Sequence, residues 1–168
     1  MRVLETERTY LREWTVADLD AAIALYSDSE VMRFMHTRRG LTAEECGERM
    51  AAHIHHQTRH GFCQWAAVLR ETDEVIGHCG LRHLCDTGHI DIGWLLARRH
   101  WGQGLATEMA RAALEHGHTR LTLPRIIAVA LPENAASIRV MERIGMTRGE
   151  DMTIDGEHVV MYQSERSR

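Results

Sequence analysis

Residues 90–110, IDIGWLLARRHWGQGLATEMA, change periodicity along their length and so carry three elements in succession. Ile90, Ile92 and Trp94 alternate with Asp91, Gly93 and Leu95, the two-residue repeat of a strand. The unbroken apolar run from Trp94 to Ala97 predicts that the end of this strand is covered on both faces. Arg98 and Arg99 stop the run, and Gly102-Gln103-Gly104 follows. From Leu105 the spacing becomes helical, through Met109, Ala112, Ala113 and His116. A helix N-terminus offers backbone N–H groups with no intrahelical partner, at the positive end of the helix dipole. Glycines at 102 and 104 remove the Cβ atoms that would hold a ligand off those amides, and they permit positive φ. Arg98 and Arg99 add forked donors suited to phosphate. The junction therefore reads as a diphosphate cradle, although a turn that uses glycine for geometry alone fits the same letters.

Two better-known phosphate loops do not fit. A P-loop needs Gly-x-x-x-x-Gly-Lys-Ser/Thr, and all 20 basic residues of this chain are arginine. The dinucleotide fingerprint needs a third glycine where Thr107 stands.

Length and composition narrow the class further. With 168 residues the chain is expected to form a single domain, 1–168, large enough for a real core. Hydrophobic content of 44% and charged content of 26% are those of an ordinary soluble protein, and no apolar run is long enough for a membrane span. Charged residues at Arg2, Glu5, Glu7 and Arg8 argue against a signal peptide, so a cytoplasmic location is expected. Cys46, Cys63, Cys79 and Cys85 form no CxxC pair and read as reduced thiols. The net charge of −4 includes no block of like sign, which gives nucleic-acid binding no support. His53, His55, His56 and His60 cluster in one predicted helix, with His56 and His60 spaced as zinc ligands. Lacking a His-Glu-x-x-His motif or a carboxylate among them, they read as a solvated helix face, and no metal is expected.

Taken in order, Glu7–Trp14 reads as a first strand. Thr15 to Asp18 resembles a capping box that opens a helix burying Leu19, Ala22, Ile23 and Tyr26. Ser29–Met35 reads as a short helical turn. Thr42 to Glu45 is a full capping box for a second helix, with Cys46, Met50 and Ile54 inward and a stop near Gly61. Phe62–Arg70 and Val75–His83 read as strands, Asp86-Thr87-Gly88 as a turn, Leu105–His118 as a helix and Ile126–Leu131 as a strand. Asn134 is a natural N-cap for a helix over Ala135–Ile144, with Gly145 just past its end. Met146–Ile154 and Glu157–Tyr162 flank Asp155-Gly156, a type I′ hairpin signal, and the tail from Ser164 is expected to fray.

Arg99-His100-Trp101-Gly102-Gln103-Gly104 resembles the Arg/Gln-x-x-Gly-x-Gly/Ala loop of the GNAT acetyltransferase superfamily. The block GWLLARRHWGQGLATEMA and the later NAASIRVMERIGM, residues 134–146, are similar to the ribosomal-protein N-terminal acetyltransferase type, with Met146 where a Phe is usual. The resemblance runs over nearly the whole chain and implies an α+β fold. That fold is a GNAT-like three-layer arrangement, with a central mixed, largely antiparallel, twisted sheet of about seven strands and about four flanking helices.

The resemblance also implies acetyl-CoA as cosubstrate and a primary amine as acceptor, either a protein N-terminus or a small molecule, with direct transfer in a ternary complex. Its diphosphate would lie on Arg98, Arg99, Gly102, Gln103, Gly104, Leu105, Ala106 and Thr107. The pantetheine arm would follow the backbone of Trp94, Leu95 and Leu96, with Asn134 as a further partner. The family's strand carboxylate falls on Asp91, a residue shorter than the usual Glu, with His89 as the alternative base. The leaving-group tyrosine found in many members is replaced by Met141, and Ser137 matches the serine of the ribosomal-protein type. Phe34, Met35 and His36 would line the acceptor wall, where core packing is the competing role. A non-catalytic acetyl-CoA-binding module is the alternative function, and the closing hairpin leaves monomer and homodimer both open.

Overall fold

The computed structural model describes residues 1–84 and 87–166. Cys85 and the Asp86 that opens the expected turn lie outside these residues, as do Ser167 and Arg168 of the tail. In chain order the elements are β1 (Arg2–Glu5), β2 (Thr9–Arg12), α1 (Leu19–Tyr26), α2 (Ala43–His60), β3 (Gln64–Leu69), β4 (Glu74–His83) and β5 (Ile90–Leu96). They continue with α3 (Leu105–Thr119), β6 (Arg125–Ala130), α4 (Ala135–Arg143), β7 (Thr147–Arg148), β8 (Met152–Ile154) and β9 (Glu157–Glu165).

The sheet order is β1-β2-β3-β4-β5-β6-β9-β7, with β8 paired to the start of β9. Every pairing is antiparallel except β5–β6, which is parallel and registered at a single point, Asp91 opposite Ile127. Beyond Asp91 the two strands part. This is the α+β architecture the sequence implies, with nine strands among the described residues rather than about seven.

The helices lie on opposite faces of the sheet, as β4 itself shows. His78 meets Tyr26 of α1 and His53 of α2. Leu81, an odd number of residues away and so on the other face, lies beneath Gly117 of α3. Helix α4 packs on α3 and β6. Because both faces are covered, β3 is buried along nearly its whole length, and Trp65, Leu81, Ile92, Met109 and Ile126 form the fully buried centre. No helix among the described residues is long and apolar enough to cross a membrane.

The capping signals act as expected. Thr42 Oγ1 accepts from the Glu45 amide at 3.2 Å while Glu45 Oε2 accepts from the Thr42 amide at 2.8 Å, and α2 ends at left-handed Gly61. Asp155 and Gly156 both have positive φ, 50° and 80°, as a type I′ turn requires.

Several boundaries move. The Thr15–Asp18 box opens a 3₁₀ turn, Val16–Asp18, before α1; the tighter winding shifts the helix phase, so Leu25 is buried and Leu19 is left exposed. The expected helical turn over residues 29–35 is a run of successive turns. The expected strand over Met146–Ile154 is two short ones, Thr147–Arg148 and Met152–Ile154, both paired with β9. Strand β1 is a half-exposed edge with no apolar alternation to announce it. Strand β9 runs on through Ser164 and Glu165, so the tail is paired further than expected.

Candidate active site

A cavity of about 410 Å³ opens where β5 and β6 part. Its floor is β5 from Asp91 to Leu96, its far end is the glycine loop and the first turn of α3, and α4 forms one wall. The turns after α1 contribute Glu30, Val31, Phe34 and Met35.

At the far end, Gly102 and Gly104 are both left-handed, with φ of 72° and 78°, and Gly104 is the N-cap of α3. A Cβ at Gly102 would meet nothing within 4 Å, so the approach to the backbone is open. The amides that start α3 have no intrahelical acceptor, and Gly104, Leu105, Ala106 and Thr107 line the cavity. Arg8 braces this loop from outside: its amide and Nε each donate to Glu108 at 2.8 Å, and a terminal nitrogen donates to Gln103 O at 2.9 Å.

Along the floor, one edge of β5 pairs with β4 through Leu96, and the other has no strand partner past Asp91. The backbone at Trp94, Leu95 and Leu96 therefore borders the cavity; Leu96 O accepts from Trp101 Nε1 at 2.7 Å. An extended chain carrying amides could pair with the free edge as a strand would.

At the near end sits Asp91, 3% exposed. The β4–β5 register sets Arg82 opposite it, and Arg82 Nε donates to Asp91 Oδ2 at 3.1 Å. Oδ1 is buried without a partner. Burial raises the Asp91 carboxyl above its ordinary pKa, and the Arg82 charge offsets this only in part. A buried carboxylate with raised proton affinity and one free oxygen suits a general base.

Ser137 lines the cavity from the first turn of α4, where its amide donates to Asn134 Oδ1 at 3.2 Å. Asn134 is thus the helix cap, and it also lines the cavity, as does buried Met141. The predicted residues that line the cavity come from three chain segments, residues 34–35, 91–107 and 134–137.

Other predicted residues are placed elsewhere. Arg98 Nε donates to Asp28 at 2.9 Å and Arg99 pairs with Glu74, so both point away from the cavity. Its lining cations are Arg82, Arg139 and Arg143, which no glycine-loop motif indicates. Gln103 touches the loop's own backbone through Arg99 O and does not line the space. His89 precedes β5 and lies off the lining, as does exposed His36, whereas Phe34 and Met35 are on it.

Sequence reading passed over Gln64 and His78. Gln64 lies across the paired glycines Gly80 and Gly93; a Cβ at Gly93 would be 2.3 Å from its Nε2. Its Oε1 is buried without a partner and the residue lines the cavity beside Asp91. His78 Nδ1 is 2.9 Å from Tyr26 Oη, and burial holds the ring well below its ordinary pKa, hence neutral. One signal marked both: a polar residue next to an apolar run, Gln64 before residues 65–69 and His78 within residues 75–81.

Comparison with known proteins agrees with this geometry. The model of the acetyltransferase (GNAT) domain matches residues 8–147. An uncharacterized N-acetyltransferase of Bacillus licheniformis, p20, is 33% identical over 150 residues, covering 88% of this chain and 84% of that protein. A GNAT-family acetyltransferase from Bacillus anthracis superposes with a TM-score of 0.84 at 27% identity, over 99% of each chain. A ribosomal L7/L12 N-terminal acetyltransferase, RimL, solved with coenzyme A, shares the fold, with a TM-score of 0.82 over 98% of each chain at 18% identity.

Proposed function

The chain belongs to the GNAT acetyltransferase family and is an N-acetyltransferase, and from that premise we propose that residues 1–168, acting as one domain, move acetyl directly from acetyl-CoA to a primary amine in a ternary complex. The carrying observation is one cavity with a left-handed glycine loop at one end and a buried, half-satisfied carboxylate at the other. Acetyl-CoA, the family's cosubstrate, supplies the thioester. The open amides at Gly102–Thr107 and the free edge of β5 fit its diphosphate and amide-bearing arm.

In this reading the α3 amides and Arg143 hold the diphosphate, and the edge at Trp94–Leu96 orients the arm and polarises the acetyl carbonyl. Gln64 Oε1 and Asp91 receive the acceptor ammonium, whose carbon skeleton rests against Phe34 and Met35. Asp91 takes a proton from the ammonium at Oδ1, directly or through a water, freeing the amine lone pair to attack. Ser137 Oγ donates toward the sulfur as the C–S bond breaks, at a helix start where the dipole also favours negative charge. Neutral His78 adds no further cation to Arg82 on this side of the pocket.

A protein N-terminus, the acceptor named for RimL, and a small-molecule amine both meet these demands. The deciding assay is acetyl-CoA-dependent acetylation, read by mass, over N-terminal peptides, polyamines, amino acids and aminoglycosides. Turnover with one class identifies the acceptor. Acetyl-CoA binding without turnover on any class would favour a non-catalytic binding module, and no acetyl-CoA binding would overturn the proposal.

A further inference from the structure

The histidine-rich stretch of α2 is split by the fold into three environments. His53 turns into the core, stacked on Trp14 at 5.9 Å between ring centres, and burial lowers its pKa to about 3. His55 is exposed. His56 and His60, one helical turn apart, both lean toward the last residue of β4, His83. No sequence motif joins His83 to the other two; the return of the chain through Gly61 and Phe62 into β3 does so.

One ligand nitrogen from each of His56, His60 and His83 lies within 4.8 Å of the others. The orientation of His56 is fixed. Its Nδ1 is 2.7 Å from Phe62 O, an atom that can only accept, so Nδ1 carries the proton and Nε2 presents a lone pair. Nε2 accepts from the His83 amide at 3.1 Å, which agrees with this tautomer and directs the lone pair at the backbone of His83, the third residue of the cluster. A backbone carbonyl on the outer nitrogen is the arrangement that orients metal-binding histidines. His60 and His83 are exposed and free to rotate.

We propose that His56, His60 and His83 bind a divalent transition-metal ion of the zinc type and thereby clamp the last turn of α2 to the end of β4. Three imidazoles with no carboxylate among them select zinc, cobalt, nickel or copper over magnesium or calcium, and leave a fourth position for water. With Zn–N bonds of about 2.0–2.1 Å, a tetrahedral site places its nitrogens about 3.3 Å apart. Side-chain rotation at His60 and His83 closes the present spread, and His56 exchanges its bond from the His83 amide for the ion. The cluster stands apart from the acetyl-transfer cavity, which none of the three residues lines.

The test is zinc titration of the full chain, carrying no histidine tag, by calorimetry, with melting temperature recorded alongside. One zinc per chain is expected, with a rise in melting temperature. His60→Ala and His83→Ala should each weaken binding at least tenfold and remove the rise, while His55→Ala changes neither. Cobalt should give the intense visible absorption of a tetrahedral site in the wild type and lose it in both variants. Zinc binding by the wild type no tighter than by a His60→Ala/His83→Ala double variant would overturn the proposal, as would equal weakening by His55→Ala.

Discussion

Replacing Asp91 by Asn preserves shape and removes the proposed base, so its effect separates catalysis from architecture. Asp91 is buried, with Oδ2 on Arg82 at 3.1 Å and Oδ1 buried without a partner. A positioned general base contributes about 10²–10⁴-fold to rate. Gln64 remains beside the site to hold the ammonium, so a loss of about 10²–10³-fold in kcat is expected, or about 3–4 kcal/mol of barrier. Burial, with Arg82 opposing it, raises the Asp91 pKa, so the ionised form costs folding stability. That cost is absent while the folded and unfolded chains are both protonated, and it grows as pH rises from the unfolded value through the folded one. Asn removes it, and Arg82, 39% exposed, stays solvated without its partner, so the melting temperature at neutral pH should hold or rise. The assay is steady-state kinetics across pH, with acetyl-CoA affinity by calorimetry. Wild-type kcat/KM should climb with pH through the raised Asp91 pKa, and the variant should lose that climb with Kd for acetyl-CoA within threefold. A variant retaining more than a third of wild-type kcat, with the same pH profile, would refute the assignment.

Three further outcomes are expected. Gly104→Val forces a β-branched residue to φ of 78°, at about 1–2 kcal/mol, with its Cβ 3.6 Å from a terminal nitrogen of Arg8, and so disturbs the turn that presents the α3 amides; calorimetry should show acetyl-CoA affinity down at least tenfold, with a modest fall in melting temperature. Ser137→Ala removes a donor to a developing thiolate, an interaction of about 1.5–3 kcal/mol, so kcat should fall about ten- to hundredfold while acetyl-CoA affinity is kept; unchanged kcat would remove Ser137 from the mechanism. Burial pushes the Asp18 carboxyl up, but hydrogen bonds from Arg12 and Thr15 outweigh it and the pKa is lowered. Its stabilising contribution is therefore present above the unfolded pKa and lost as pH falls through the folded one, so melting curves of wild type and Asp18→Asn should converge in acid.

Local chemistry made most elements readable in advance. The capping box at Thr42, the cap at Asn134 and the Asp155-Gly156 turn each rest on residues within four positions, and each forms as the letters indicate. The glycine loop was legible for the same reason: positive φ at 102 and 104 and a helix start at Leu105 are properties of a short segment. Where a neighbour distant in sequence intervened, the reading slipped. Pairing with β6 decides how far β9 runs. Asp28 and Glu74 draw Arg98 and Arg99 off the cavity, a choice no local pattern records.

The sequence by itself determined the order of the four helices and most of the strands, the anion-ready junction at 102–107 and the residue types able to carry acyl transfer, because backbone preference and periodicity act over a few residues. Only the tertiary structure decided which of those residues meet. The single-point register of β5 on β6 opens the cavity. The β4–β5 register sets Arg82 on Asp91, and the paired glycines at 80 and 93 let the Gln64 side chain lie across them. The end of β4 carries His83 to His56 and His60. Each of these depends on strand register and on packing between segments remote in the chain, and a linear pattern of letters does not encode distance across a sheet.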